Sequence, residues 1–166
     1  VRAISPVTAL ALSREGFERL VAARPEADLS RLVRASAALN RSRLFNALAA
    51  EGVSALLPRL VPRPVAAGET VVRRGEPGEL FFLIDQGELE VLDDKDEAVV
   101  ATLGAGAHFG EIALLRNVPR TATVRSKGVG TVWSLSKPDF FTTLARDFGL
   151  SRAIEEEARQ RVKGGR

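Results

Sequence analysis

The chain has 166 residues, enough for one domain plus an appended segment, and its hydrophobic share of 45% is sufficient for a packed core. A charged share of 27% and a net charge of +3 are ordinary, and the arginines are spread along the chain, so little favours a nucleic-acid partner. The lack of cysteine excludes disulfides and thiolate metal sites, and no apolar run approaches the roughly 20 residues that span a bilayer. Because the sequence starts at Val1 without a signal-peptide pattern, we expect a fragment of a longer cytoplasmic polypeptide.

The first 27 residues are similar to a later part of the same sequence. The pattern over 6–12 predicts a short strand, and Ser13 suits the N-cap of a helix that carries Phe17 and Leu20. The same order of strand, serine and helix recurs over 124–144, with one inserted residue near Pro138. We interpret residues 1–27 as the tail of a preceding, truncated copy of one domain. Chance similarity between two strand-to-helix junctions is the alternative.

Residues 28–60 are expected to be a helical linker followed by N-terminal helices. Asp28 or Ser30 can cap a helix with apolar residues from Leu32 to Leu39. A short helical segment is predicted over 41–48. Another follows Gly52, with Pro58 near the start of its next turn.

Residues 61–135 consist of short apolar runs interrupted by glycine, proline and aspartate, a pattern typical of an antiparallel barrel. The predicted strands are 62–65, 70–73, 80–86, 88–93, 98–103, 108–109, 121–127 and 130–135, with a helical turn at 111–115. Phe81, Phe82, Phe109 and Trp133 are predicted to fill the core. His108, the only histidine, is predicted to be a packed or exposed strand residue rather than a metal ligand or a base.

The chain is predicted to become helical again over 136–166, with helices at 137–146 and 150–162. The second helix carries Leu150, Ile154, Ala158 and Val162 as one apolar stripe. The acidic run 155–157 is predicted to lie on its solvated face.

The segment 109–124 carries the most specific chemical signal in the sequence. It reads Phe-Gly-Glu, a short apolar turn, a polar loop and then Arg-Thr-Ala-Thr-Val. Glu111 can accept hydrogen bonds from a sugar hydroxyl, and the planar fork of Arg120 can bind a phosphate. Gly110 lets the backbone approach a ligand closely, and the amides of Ile112 and Ala113 begin a helix whose positive end favours an anion.

This segment closely resembles the phosphate-binding cassette of the cyclic nucleotide-binding domain family, and the run 75–91 is similar to the early strands of that family. The resemblance covers roughly residues 45–163. It implies an α+β fold in which an antiparallel β-roll or jelly-roll barrel at 61–135 is flanked by N-terminal helices and by C-terminal lid helices. It also implies a non-catalytic sensor of cyclic AMP or cyclic GMP that needs no metal or further cofactor.

The resemblance also implies roles for individual residues. Arg120 is expected to anchor the phosphate, Glu111 to accept the ribose 2′-hydroxyl, and Thr121 to contact the phosphate or a guanine amino group. Arg159 or Arg161 is a candidate lid over the base. The full set of expected ligand-binding residues is Phe109, Gly110, Glu111, Ile112, Ala113, Arg120, Thr121 and Ala122.

The expected partners are a cyclic nucleotide and a covalently linked output domain, with neither direct nucleic-acid contact nor a membrane segment in this part. Two alternatives stay open. The segment could be the sensing domain of a DNA-binding transcription regulator, or an interaction module that has kept the fold and lost its ligand. The sequence does not decide between cyclic AMP and cyclic GMP.

Overall fold

The computed structural model describes residues 26–45, 48–93 and 98–164. Contacts divide the chain into two units, Val1–Arg31 and Leu32–Arg166. The described residues of the first unit, 26–31, form the first turns of a helix, and all other described residues belong to the second unit. The predicted strand and helix within residues 1–25 lie outside the described residues, so the truncated repeat remains a prediction.

The described residues form helices at both ends and short strands between them. The helices are α1 (Glu26–Arg41), α2 (Ala50–Leu56), a 3₁₀ turn (Leu57–Arg59), α3 (Glu111–Arg116), α4 (Lys137–Arg146) and α5 (Phe148–Gly164). The strands are β1 (Val61–Val65), β2 (Thr70–Val72), β3 (Leu80–Gln86), β4 (Leu89–Leu92), β5 (Val99–Leu103), β6 (His108–Phe109), β7 (Thr123–Ser126) and β8 (Gly130–Ser136).

The strands make two antiparallel sheets of four strands each, in the orders β1-β8-β3-β6 and β2-β7-β4-β5. This arrangement confirms the α+β class and the β-roll. The barrel is not closed, because the hydrogen-bonded ladders of the described strands stay within the two separate sheets. The two sheets instead pack face to face and enclose a core between them.

The first five residues of strand β3, 80–84, are apolar without interruption. Alternate side chains of a strand point to opposite faces, and here both faces are covered. Phe82 and Ile84 pack between the sheets, with Phe109 and Val132 among their neighbours. Phe81 and Leu83 face the helices in a second core cluster. The members of that cluster from the helical segments include Ala35, Ala38, Leu39, Phe45, Leu56, Leu114, Phe140, Leu144, Leu150 and Ile154.

The predicted core aromatics are buried: Phe81, Phe82, Phe109 and Trp133 are each at most 4% exposed. His108 is packed in β6, as predicted, and its ring stacks on Phe81. The apolar stripe of α5 is confirmed for Leu150, Ile154 and Ala158, which are buried. Val162, at the end of the stripe, is 38% exposed.

Two predictions about the N-terminal helices are wrong. The predicted helix over 41–48 is absent from its described part, because α1 ends at Arg41 and residues 43–45 form a turn. The amide of Ser42 donates to the carbonyl of Leu39 at 3.1 Å, a short-range bond that ends the α-helical pattern. The first long helix begins at Glu26, so neither Asp28 nor Ser30 is its N-cap.

Helix α4 begins with a side-chain cap provided by Ser136. The hydroxyl of Ser136 accepts a hydrogen bond from the amide of Asp139 at 3.3 Å and donates to the Asp139 carboxylate at 2.7 Å. The hydrogen bond from Ser136 lowers the pKa of Asp139; burial opposes this shift, and Arg59 adds to it through a hydrogen bond and its charge. Because Arg59 belongs to the 3₁₀ turn before β1 and pairs with Asp139, the cap also connects helix α4 to that turn.

Replacing Ser136 with alanine is expected to lower the free energy of unfolding by about 1 kcal/mol at neutral pH. A carboxyl whose pKa is lowered by folding stabilises the protein above its unfolded pKa, and the contribution disappears as pH falls through the folded value. The difference in the free energy of unfolding between the parent and the variant should therefore shrink in acid. Urea denaturation at pH 7 and below pH 4 measures this, with Asp139→Asn as the control that lacks the titrating group. An equal deficit at both pH values would contradict the assignment.

Candidate functional site

A cavity of about 740 Å³ opens beside the short helix α3. Strands β2, β4, β5, β6 and β7 contribute to its walls, together with α3 and the last helix α5. The eight expected ligand-binding residues all line this cavity: Phe109, Gly110, Glu111, Ile112, Ala113, Arg120, Thr121 and Ala122. The structure thus brings the predicted set together in a space large enough for a small organic ligand.

Arg120 is buried and hydrogen-bonded although it is a long cationic side chain. It is 6% exposed, and its Nη2 donates to the carbonyl of Leu80 at 2.8 Å. Its Nη1 donates to the carbonyl of Gly110 at 3.3 Å, and its guanidinium lies 5.7 Å from the ring centre of Phe82. Both hydrogen-bond partners are neutral carbonyls. Among the described residues, no carboxylate forms an ion pair with this guanidinium.

The electrostatics of Arg120 follow from this burial. Desolvation lowers the pKa of its guanidinium, and the negative charges of Glu111, Glu76 and Glu79 oppose that shift. A buried cation is costly unless it is paired, and carbonyl dipoles compensate only part of its charge. The site is therefore electrostatically suited to an anion that would complete the pairing.

Gly110 lets the backbone turn tightly beside Arg120. Its φ of 93° is unfavourable for any residue with a Cβ, and an added Cβ would lie 2.6 Å from Nη1 of Arg120. Gly110 is the N-cap of α3 and provides no side-chain hydrogen bond to the first amides of the helix. Backbone donors of the first turn are thus left for another acceptor at the cavity wall.

Glu111 is 1% exposed, and its two carboxylate oxygens have different surroundings. Oε1 lies 2.6 Å from Nη1 of Arg161, which reaches the site from α5. Oε2 is buried and has no hydrogen-bond partner in the described structure. A buried carboxylate oxygen without a donor is costly, so Glu111 favours a ligand group that can donate a hydrogen bond to it.

Two polar side chains of the last helix, Arg161 and Glu157, lie against β6. Nη1 of Arg161 also donates to the carbonyl of His108 at 3.0 Å. One turn earlier, Oε2 of Glu157 lies 3.1 Å from Nε2 of His108, although the geometry of this contact is too poor for a formed hydrogen bond. The close contact with His108 is the largest influence that lowers the pKa of Glu157; burial opposes it, and the charges of His108 and Arg161 add to it. Residue 157 was predicted on the solvated face, but its carboxylate faces β6.

Arg161 and Arg159 are clearly distinguished by the structure. Arg161 pairs with the buried Glu111, whereas Arg159 is 62% exposed and pairs with Glu155 on the surface of α5. Helical periodicity explains the difference, since residues two apart project to different sides of a helix. The sequence alone could not decide which side faces the cavity.

The remaining cavity wall was not singled out in the sequence. It is mainly aliphatic and comes from β2, β4, β5 and β7, with the polar Arg74 and Asp93 and with Val162 from α5. The aliphatic residues are Val72, Val91, Leu92, Val100, Ala101, Leu103 and Val124. In the structure, Val100 of the edge strand β5 is 60% exposed, whereas the sequence shows only an ordinary apolar run there.

The described residues contain no cluster of histidine, cysteine or carboxylate side chains that could hold a metal ion. Within the same part of the chain, no helix has both the length and the apolar character needed to cross a membrane. The cavity combines a buried cation, a buried carboxylate and an aliphatic wall, which suits recognition of an anion beside a hydroxyl group.

Comparisons with known proteins agree with this geometry. Residues 62–147 match the family model described as the cyclic nucleotide-binding domain. A cAMP-dependent protein kinase regulatory subunit from Yarrowia lipolytica is 43% identical over 81 residues, which are 49% of this chain and 22% of that protein. An uncharacterized protein from Mycobacterium tuberculosis is 40% identical over 98 residues, 59% of this chain and 19% of its own length.

Solved structures give the same result. The regulatory domain of Toxoplasma gondii PKA in co-crystals with cAMP has a TM-score of 0.64 at 31% identity, over 72% of this chain and 46% of that one. A regulatory subunit of a cAMP-independent protein kinase A from Trypanosoma brucei has a TM-score of 0.72 at 23% identity, over 89% of this chain and 52% of that one. The second likeness shows the fold alone. The chain spans about a fifth of the length of the curated relatives and about half of these solved chains.

Proposed function

The chain belongs to the cyclic nucleotide-binding domain family, and we propose that its cavity binds cyclic AMP or cyclic GMP to control an attached output domain. The buried guanidinium of Arg120 carries this proposal. It has neutral carbonyl partners and faces a cavity that could accommodate a phosphate. The comparison with cAMP-bound PKA regulatory domains supports the same ligand class.

In the proposed complex, the cyclic phosphate lies between Arg120 and the first amides of α3, those of Ile112 and Ala113. The ribose 2′-hydroxyl donates to Oε2 of Glu111, which has no partner in the described structure. The purine lies against the aliphatic wall of β4 and β5, near Thr121 and Ala122. A ligand of this kind would thereby supply partners for two buried charged groups of opposite sign.

The proposed mechanism is a population shift rather than catalysis. Phosphate binding draws α3 towards the cavity, and its buried Leu114 repacks against the helical core cluster. Arg161 and Glu157 then transmit the change to α5. The ligand can shift this equilibrium only by its differential affinity for the two states, typically about 1–3 kcal/mol.

We extend this proposal to the whole chain. Residues 1–27 would belong to a preceding copy, 28–60 to the helical linker, 61–135 to the β-roll and 136–166 to the lid helices. Such a tandem sensor in the cytoplasm would be consistent with the kinase regulatory subunit among its relatives. The identity of the output domain is open, and a DNA-binding regulator remains the alternative.

Calorimetric titration with cyclic AMP and with cyclic GMP tests the proposed function. Saturable binding of at least one nucleotide with 1:1 stoichiometry is expected, together with a rise in the thermal unfolding temperature. Adenosine 5′-monophosphate is the control, because it keeps the base and the ribose but lacks the cyclic phosphate. Binding of neither cyclic nucleotide would favour the interaction module that has lost its ligand.

Replacing Arg161 with glutamine is expected to weaken cyclic AMP binding about five- to tenfold, roughly 1 kcal/mol. The reason is that Arg161 orients the Glu111 carboxylate so that Oε2 stays available. Arg159→Gln is a matched control on the same helix, with the same loss of charge on its exposed side. Titration calorimetry on both variants measures the difference. Equal affinities in the two variants would exclude a role of Arg161 at the ligand.

A further inference from the structure

The buried carboxylate of Asp85 lies near the end of β3 and is not part of the wall of the proposed ligand pocket. It is 3% exposed, and each of its oxygens accepts from a different arginine of α1. Nη2 of Arg34 lies 2.9 Å from Oδ2, and Nη2 of Arg41 lies 2.5 Å from Oδ1. The same nitrogen of Arg41 also donates to the backbone carbonyl of Asp85 at 3.2 Å.

The backbone at Asp85 is irregular in a way that suits this role. The pairing of β3 with β8 passes from Ile84 opposite Val132 to Gln86 opposite Thr131, so Asp85 is the extra residue of a bulge. Bulges commonly re-aim a side chain. A buried carboxylate at this position is strongly unfavourable without its two arginine partners. Asp85 therefore favours the state in which α1 is docked on β3.

The end of α1 also rests directly on the loop that precedes β6. Gly106 has a φ of 85°, and a Cβ placed on it would lie 2.7 Å from the carbonyl oxygen of Arg41. Two backbone bonds fix this loop to β3: the Ile84 amide donates to Ala107 at 2.8 Å, and the Gly106 amide donates to Ile84 at 2.9 Å. Ile84, the residue before Asp85, therefore binds the loop through both its amide and its carbonyl.

The loop continues without a break into the proposed ligand pocket. Ala107 is followed by β6, by Gly110 with its carbonyl bonded to Arg120, and by Glu111. We propose that Asp85, Arg34 and Arg41 form a latch that couples the docking of α1 to the position of β6 and Gly110. Asp85 is then a positioning residue, and this inference rests on the proposed function only for its effect on ligand affinity.

The proposed coupling between α1 and the pocket has a definite direction. Docking of α1 presses the loop against β3 and so keeps β6 and Gly110 in the arrangement that holds Arg120. Opening the latch should loosen this arrangement and weaken cyclic nucleotide binding. Because coupling between two sites is reciprocal, ligand binding should also stabilise the docked α1.

Hydrogen–deuterium exchange of the ligand-free protein tests the coupling without relying on ligand binding. In Asp85→Asn, exchange is expected to rise in residues 32–41 and also in residues 104–110. Lys127→Gln is the matched control, because it breaks the exposed pair with Glu88 at a turn outside the pocket wall. Faster exchange confined to residues 32–41 would overturn the inference, since Asp85 would then merely fasten the helix.

Titration calorimetry tests whether the latch affects ligand affinity. Asp85→Asn and Arg41→Gln are each expected to raise the Kd for cyclic AMP about three- to tenfold, and the double variant should be no weaker than the worse single variant. Unchanged affinity in both single variants would overturn the coupling to the pocket. If Asp85→Asn fails to fold, Arg34→Gln removes one bond from a half-exposed arginine and should give the same pattern at smaller amplitude. If the parent binds neither nucleotide, the proposed function fails, whereas the exchange experiment still decides the latch.

Discussion

Replacing Arg120 with alanine is expected to weaken cyclic AMP binding by about 2–5 kcal/mol, because the variant removes the charged partner of a buried phosphate. The loss should be large because the guanidinium is already oriented by the carbonyls of Leu80 and Gly110. Little ordering is then left for the ligand to complete, so most of the interaction energy contributes to affinity. Calorimetric titration of the parent and the variant measures the difference.

The fold of the Arg120 variant should change little in stability. Burial lowers the pKa of this guanidinium, which means that its surroundings disfavour the charge in the absence of a ligand. Removing the cation relieves that desolvation, although it leaves two carbonyls without their donors. The two effects oppose each other, so we expect a small change in the free energy of unfolding.

Two further variants separate geometry from charge at this position. Arg116→Ala removes an arginine from the exposed end of α3 and should leave the affinity unchanged. Arg120→Lys keeps a cation but loses the planar fork that reaches both carbonyls, so an intermediate loss is expected. Parent-like affinity in Arg120→Ala would show that the ligand does not use this guanidinium.

The sequence was most informative where the spacing of residues is fixed by local structure. Gly110 needs a positive φ, and Glu111 begins a single short helix, so their relation to Arg120 is set within one compact segment. Strand β3 was predicted at its observed bounds, Leu80–Gln86, because Gly78 and Gly87 delimit it and both of its faces are apolar. Such local rules do not require knowledge of distant contacts.

The features that sequence reasoning could not supply depend on distant pairs. Arg161 lies 50 positions from Glu111, and Arg41 lies 44 positions from Asp85. A single sequence gives no signal for such pairs. The resemblance named Arg159 or Arg161 only as a candidate lid, and Arg41 resembles an ordinary surface residue of an amphipathic helix. The wrong helix over 41–48 has a related cause. Leu44 and Phe45 lie within that predicted segment, but they pack into the core from a turn.

Replacing Glu111 with glutamine should remove much of the preference for a ribose over a 2′-deoxyribose, with a loss of about 1–3 kcal/mol for cyclic AMP. In the proposed complex the 2′-hydroxyl donates to the unpaired Oε2, and a charged acceptor forms the stronger hydrogen bond. The parent should therefore bind cyclic AMP more tightly than 2′-deoxy cyclic AMP. The variant should bind the two ligands with similar affinities, because its neutral amide is a poorer acceptor.

A thermodynamic cycle over two proteins and two ligands isolates this hydrogen bond from the general loss of negative charge. Glu79→Gln is the matched control, since Glu79 also raises the pKa of Arg120 but is 69% exposed. That variant should change the affinity for both ligands equally and leave the ribose preference intact. Equal binding of the two ligands by the parent would remove Glu111 from the recognition of the sugar. The guanidinium of Arg120 would then be the only charged group of the proposed site with a supported role.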